Sequence, residues 1–397
     1  MKKKHIFISI HYLELGGAET SLIGMLQAMD YRRYDVDLFL HSHQGEMMRY
    51  IPKDVNLLPE IKEYSLIEKP MMCALWAGCF KIVWGRLKAK WQFYNYMRRK
   101  GEIDGSALLQ YVGDAVTPIL PSLDYLGEYD LAISFLCPHN IVRDKVRAKK
   151  KICWIHTDYL RIGVNVEKEL PVWASYDHVM SISPDVTHNF LVVFPSLRYK
   201  IVEMENVLSS DFIKNRAEEF DASSELQGEG IKILSVGRFC EAKNFDNVPM
   251  ICQYILKQGL KIHWYIIGYG DDSLINQRIR DLGMDDYVSI IGKRSNPYPY
   301  IKSCDIYVQP SRYEGKSVTV REAQILCKPV VITEYPTAKS QITNGVDGVI
   351  VPMDNKGCAK GIIDFIQDKS LQRKIVDYLH SHDYGNAGEV NKIDKLL

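Results

Sequence analysis

Apolar runs that stop at glycine, separated by longer stretches of helical pattern, constrain this chain more than any other feature. Ile231-Lys-Ile-Leu-Ser-Val-Gly and Trp264-Tyr-Ile-Ile-Gly-Tyr-Gly are almost continuously apolar before they break. A strand with one wet face alternates polar and apolar residues, so strands that do not alternate belong to parallel sheets covered on both faces. Runs of this kind predict strands at residues 5–10, 35–40, 130–135, 151–156, 178–183 and 200–206. The series pauses at the polar segment 221–230 and resumes at 231–237, 262–268, 288–292, 305–309 and 330–333. Strands alternating with helical stretches imply βαβ units. At 397 residues the chain is also longer than one core usually supports. The expectation is an α/β protein of two domains, residues 1–210 and 231–385, joined by a linker at 211–230. Ligands of such sheets gather at the carboxyl edges of the strands, and two such domains facing each other would form a cleft between them.

Charge and cysteine usage narrow the function. The formal net charge is +1, so no global field points to nucleic acid. Nine cysteines are scattered with no C-x-x-C pair, which suits a reducing compartment and predicts small buried hydrophobes rather than metal ligands or nucleophiles. The basic N-terminus leads into a strand that meets His11 and Glu14, without the cleavage site of a signal peptide. No stretch approaches the ~18 apolar residues of a membrane span. The expected location is therefore cytoplasmic. Residues 69–101 stand apart, because Lys69, Lys81, Arg86, Lys88, Lys90, Arg98, Arg99 and Lys100 interleave with Trp76, Trp84 and Trp91 without one acid. That is a membrane-interface composition. It equally fits a basic helix packing its tryptophans on the first domain, or a site for an anionic acceptor.

Two constellations carry chemistry. In Ser311-Arg-Tyr-Glu-Gly-Lys-Ser-Val-Thr-Val-Arg-Glu, Ser317 is a candidate helix cap, which puts Glu314 in the loop and Glu322 inside the helix. Ionised carboxylates accept paired sugar hydroxyls, so one can hold a hexose and the other a ribose. Gly315, Lys316 and Ser317 lead between them into a helix N-terminus, a favourable place for phosphate. The second constellation, Val236-Gly-Arg-Phe-Cys-Glu-Ala-Lys, lets Arg238 and Lys243 converge on one diphosphate. Fixed cations there stabilise the charge that develops on a leaving phosphate.

These residues resemble glycosyltransferase family 4, the retaining enzymes of GT-B type with bacterial cell-surface glycan products. The resemblance spans Leu15-Gly-Gly-Ala-Glu-Thr, Trp154-Ile-His-Thr-Asp, Glu205-Asn-Val, the Gly-Arg-x4-Lys loop, Gly268-Tyr-Gly and Glu-x7-Glu. It implies two Rossmann-like domains and a last helix, residues 386–397, that crosses back to the first. It implies catalytic roles for Arg238, Lys243, His156 and Glu314. Donor binding would fall to Gly16, Gly17, Asp158, Gly268, Gly270, Gly315, Lys316, Ser317 and Glu322, with Glu314 on the sugar and Glu322 on the ribose. The implied partners are a nucleotide sugar, with UDP the expected nucleotide, and a glycan or lipid-linked acceptor, met by a protein peripheral at the inner membrane face. Lys316-Ser317-Val318 departs from the small or apolar residue and proline common in the family, which leaves the donor sugar open. No metal and no cofactor are expected: Asp35-Val-Asp37 alternates within a strand, and His41-Ser-His43 and His380-Ser-His382 lack partners at zinc spacing. Rival readings are a sugar-nucleotide epimerase of the same architecture and a silent sugar-nucleotide-binding scaffold.

Overall fold

A computed structural model describes residues 3–14, 16–100, 106–160 and 162–397, without the side chain of Lys100. Leu15 and Gly101, which end or begin segments noted above, lie outside the described residues. The chain divides into two compact units, Met1–Val207 with Ala387–Leu397, and Leu208–Asn386.

The first unit is built on seven strands, β1 (Lys4–Ile10), β2 (Tyr34–Leu40), β3 (Asn56–Leu57), β4 (Glu128–Ser134), β5 (Arg147–Ile155), β6 (His178–Ser181) and β7 (Ile201–Glu203), in the order β3-β2-β1-β4-β5-β6-β7. Every pairing is parallel, with Ile8 opposite Leu38 on one side and Ile133 on the other. The second unit carries β8 (Ile231–Val236), β9 (Ile262–Ile267), β10 (Val288–Gly292), β11 (Ile306–Gln309), β12 (Val330–Thr333) and β13 (Val349–Val351), ordered β10-β9-β8-β11-β12-β13. All six residues of β9 are buried, as expected of a strand without alternation. In each sheet the order reverses beside the first strand, at β1/β4 and at β8/β11, and those reversals open crevices at the strand ends. Sequence reading misses β3 and β13, edge strands of two and three residues, because so short a run carries no periodicity.

The tail returns to the first unit. Val390, Ile393 and Leu396 are buried there, Lys392 Nζ donates to the Glu203 carbonyl at 2.9 Å, and Arg33 pairs with Asp394 at 2.8 Å. Glu389 Oε2 accepts the Glu205 amide at 2.9 Å, so the tail also caps the chain just beyond β7.

No helix among the described residues is long and apolar enough to cross a membrane. The helix Phe80–Lys100 buries Ile82, Val83, Ala89 and Phe93, and Gly85 lets it lie against Ala115 and Val116 of a neighbouring helix. Its other face is an uncovered stripe. Trp84 and Trp91 are 73% and 67% exposed, at helical spacing with exposed Phe80, Leu87 and Tyr94, and Trp76, at the end of the preceding short helix Met71–Trp76, is 83% exposed, so the tryptophans do not pack on the unit. Arg86 departs from the expected basic surface: it turns inward, donating to the carbonyls of Leu66 at 2.9 Å and Lys69 at 2.5 Å.

Ile393 has no exposed surface, and emptying such a site costs roughly 2–5 kcal/mol. Ile393→Ala is accordingly expected to lower the urea midpoint without changing the slope of the transition, measured by equilibrium unfolding.

Candidate functional site

The crevice between β8 and β11 gathers the strongest chemistry of the second unit. The chain leaves β8 through Gly237 and Arg238, makes a short 3-10 turn over Glu241–Lys243, and reverses at Asn244, whose φ of 59° is left-handed. Asn244 is buried, and its amide donates to the Pro310 carbonyl at 2.9 Å, joining this loop to the one leaving β11. Arg312 adds a second tie: its backbone amide donates to the Ala242 carbonyl at 2.8 Å, and its guanidinium forks onto Asp246 at 3.0 and 2.9 Å. Two loops far apart in sequence therefore behave as one.

Between them Lys243 Nζ meets Glu314 Oε1 at 2.6 Å, with only 18% and 10% of the two side chains exposed. The same oxygen accepts from Ser311 at 2.6 Å. Behind Ser311 a buried relay continues, Gln309 donating to Ser311 Oγ at 2.9 Å and Tyr307 to Gln309 Oε1 at 2.7 Å. Both contacts fall on Oε1, so Oε2 is the edge of Glu314 left to accept from a ligand. Arg238 is exposed and forms no ion pair with a described residue.

The glycines have separate physical reasons. A Cβ on Gly268 would stand 1.9 Å from the Gly237 carbonyl oxygen, and one on Gly270, at φ 126°, would stand 2.8 Å from that of Phe239. They let the loop after β9 lie flush on the loop after β8, where Phe239 donates to the Tyr269 carbonyl at 2.7 Å. Gly315 is exposed, and a Cβ there would meet nothing within 4 Å.

Glu322 occupies a different environment from Glu314. It lies inside the helix Val318–Ile325, is 5% exposed, and accepts from the Tyr298 hydroxyl at 2.8 Å. The Arg216 guanidinium stacks over the Tyr298 ring at 5.1 Å. Burial pushes the Glu322 carboxyl up to about 7, against the opposing pull of Tyr298 and Arg216. Ser317 stands at the cap position, but its hydroxyl meets that of Thr319 at 3.1 Å and caps no backbone group. Its own N–H donates to Gln341 at 3.0 Å, so the free helix-terminal donors begin at Val318 rather than at Ser317. Lys316 is half-buried beside it.

In the first unit His156 follows β5. Neither ring nitrogen is open to solvent or has a partner at bonding geometry, and burial lowers the imidazole to about 3, so it acts as a neutral donor or acceptor. Asp158 accepts from the Leu160 amide and from Asn189, each at 3.0 Å, which is a turn-forming role. Gly16 is extended before the helix Gly17–Ala28, and a Cβ on it would clash with the Glu19 carboxylate at 2.2 Å; Gly17 has open space. Asp35 pairs with Lys3 and Asp37 accepts from Tyr129. Cys153, Cys252, Cys304 and Cys358 are buried, whereas Cys240, in the loop after β8, is exposed, against the buried reading.

Sequence reasoning passed over Gln309, Ser311, Asn244, Tyr298 and Arg216. Gln309 was readable as a polar residue at the end of an apolar strand. Arg216 and Tyr298 converge on Glu322 only through tertiary packing.

Residues 216–381 match the family of glycosyl transferases group 1. The two parallel-sheet units have the GT-B architecture. A glycosyltransferase of amylovoran biosynthesis from Erwinia amylovora is 30% identical over 31% of this chain and 32% of its own length. An N-acetylgalactosaminyltransferase from Campylobacter jejuni, which acts on a diphospho-undecaprenol-linked sugar, is 30% identical over 36% of this chain and 39% of its own. The chain thus spans about a third of these relatives' lengths. Anabaena HepE, solved with UDP and glucose, has a similar fold, with a TM-score of 0.66 at 14% identity over 99% of each chain.

Because the folded pKa of Glu322 lies above its ordinary value of 4.5, its stabilising contribution is full below that value and is lost as pH rises through about 7. Glu322→Gln keeps an acceptor for Tyr298 and is expected to gain on the order of 1–3 kcal/mol of stability at about pH 8 relative to about pH 5. Thermal melts of both proteins at the two pH values check this.

Proposed function

We propose that the chain is a retaining hexosyltransferase that moves a sugar from a UDP-sugar to a hydroxyl of a glycan or lipid-linked glycan in surface polysaccharide biosynthesis. The Lys243–Glu314 pair in the β8/β11 crevice is the observation that carries this reading. One site there offers a cation for a phosphate and a carboxylate oxygen for sugar hydroxyls, side by side and shielded from water. Glu314 takes the hexose, Glu322 the ribose, and Arg238 with Lys243 the diphosphate. Gly315, Lys316 and the N–H groups from Val318 onward line the phosphate path. For His156, Asp158, Gly16 and Gly17 the family resemblance implies contact with the donor sugar.

In the reaction the bond from the anomeric carbon to the β-phosphate oxygen breaks, and a bond to the acceptor oxygen forms on the same face. The acceptor proton passes to the leaving phosphate. Arg238 and Lys243 stabilise that phosphate more as its charge grows, which is where their contribution to rate lies. HepE with UDP and glucose, and the Campylobacter and Erwinia transferases, support the choice of donor and acceptor classes.

The decisive measurement is UDP release from UDP-sugars with and without a polyprenyl-diphosphate-linked glycan. Release that requires the acceptor supports transfer. Conversion of the sugar without any acceptor would assign an epimerase, and binding without turnover a scaffold. Lys243→Ala is expected to lower kcat about 100-fold or more while UDP affinity falls less than about tenfold; unchanged turnover removes Lys243 from the leaving-group role.

The stripe of Phe80, Trp84, Leu87, Trp91 and Tyr94, preceded by exposed Trp76 and flanked by exposed Lys81, Lys88 and Lys90, supports contact with an anionic bilayer, where indole rings settle at the headgroup level and lysines meet the lipid charge. Wild type is expected to co-sediment with phosphatidylglycerol vesicles and to be released by salt. Replacing all three tryptophans with serine should abolish sedimentation; equal binding to phosphatidylcholine, or by the variant, overturns the idea.

A further inference from the structure

A second pocket, of about 270 Å³, lies wholly in the first unit where β1 and β2 end. His11 and Tyr12 wall it from β1, His41 and Ser42 from β2, and Tyr64 and Glu68 from the connection beyond β3. Its volume suits a single hexopyranose ring.

The wall holds polar atoms with nothing to bond. His41 is 4% exposed, its Nε2 lies 3.1 Å from Ser9 Oγ, and its Nδ1 is buried without a partner. His11 Nδ1 is likewise buried with no partner at bonding geometry, although the Cys137 backbone lies close enough to pull on the imidazole, and Glu68 Oε1 stands 3.8 Å away, too far for a hydrogen bond. A buried polar atom left unmet costs roughly 1–3 kcal/mol, so two in one wall mark a place where a ligand supplies the partners. Burial lowers His11 to about 4 and His41 to about 3, so both rings are neutral and can each donate or accept. Glu68 keeps 30% of its side chain exposed, and desolvation still raises its carboxyl to about 7. The one lysine in the wall, Lys69, leans towards Glu60 at 3.7 Å, while Glu14 and Glu68 face the space. Such a lining repels anions. It suits hydroxyls, which give and take hydrogen bonds.

We propose that this pocket is a subsite for one neutral sugar ring of the acceptor glycan, whose hydroxyls meet His11 Nδ1, His41 Nδ1 and the Glu68 carboxyl while the Tyr12 ring faces its C–H groups. This rests on the glycosyl-transfer reading and adds to it the residues of the acceptor side. Glu68 is the specificity-setting group, because a carboxyl at a pocket mouth accepts only from a hydroxyl placed opposite it.

The test uses the full chain with labelled histidines and a panel of methyl hexopyranosides, observed through the imidazole proton resonances. At least one glycoside should shift the His11 or His41 signals. Glu68→Gln and His11→Gln, each confirmed folded by an unchanged melt, should weaken that binding about tenfold or more, the cost of a hydrogen bond to a charged or buried group. No shift from any glycoside, an undiminished shift in both variants, or a larger shift from inorganic phosphate overturns the subsite. UDP titration of the same samples separates the two claims. Glycoside binding in a protein that neither binds UDP nor turns over UDP-sugars leaves the subsite standing and removes the transferase reading. Acceptor-dependent UDP release with the same acceptor KM in both variants does the reverse.

Discussion

Lys243 and Glu314 meet at 2.6 Å because two loops, one leaving β8 and one leaving β11, are stitched together before either side chain is placed. An exposed ion pair contributes little, and a buried one is stabilising only when each charge finds further partners. Here Glu314 has Ser311 behind it, Ser311 has Gln309, and Gln309 has Tyr307. The relay fixes one carboxylate oxygen and leaves the other for a ligand. The glycines at 268 and 270 follow from the same constraint, since any side chain at Gly268 would drive the loop after β9 off Gly237.

The two glutamates of this region show how environment divides roles between like groups. Glu314 sits against a cation, and Glu322 sits inside a helix against a phenol, with a carboxyl lifted to about 7. A ligand that donates hydroxyl hydrogens to Glu322 favours its ionised form, so binding at that end is linked to proton release near neutrality. Glu314 is instead held by two partners. Its selectivity comes from the direction in which Lys243 and Ser311 hold it.

Most of the sheet architecture was readable because a parallel strand covered on both faces cannot hide its apolarity; β9 and β11 announce themselves by composition. The loops that end β8 and β11 were also readable, since Gly237-Arg238 and Ser311 to Glu314 follow those strands. What stayed hidden depends on tertiary packing. Ser317 has the chemistry of a cap, yet Gln341 takes its amide and Thr319 its hydroxyl, and nothing local foretells either. Arg86 belongs to a basic run by sequence and to the interior by structure, because carbonyls at Leu66 and Lys69 need a donor there.

The first unit handles charge in the opposite way from the second. His11, His41 and His156 follow β1, β2 and β5 in turn and are all held neutral by burial. Three imidazoles at the ends of three parallel strands offer hydrogen bonds in either direction without adding charge, which is what recognition of uncharged hydroxyls requires. The second unit instead sets cations and carboxylates at the ends of β8 and β11, which is what a sugar joined to a diphosphate requires. A chain with one topology repeated twice thus presents two chemistries at equivalent strand edges, and the difference lies in the half-dozen residues that follow the last apolar position of each strand.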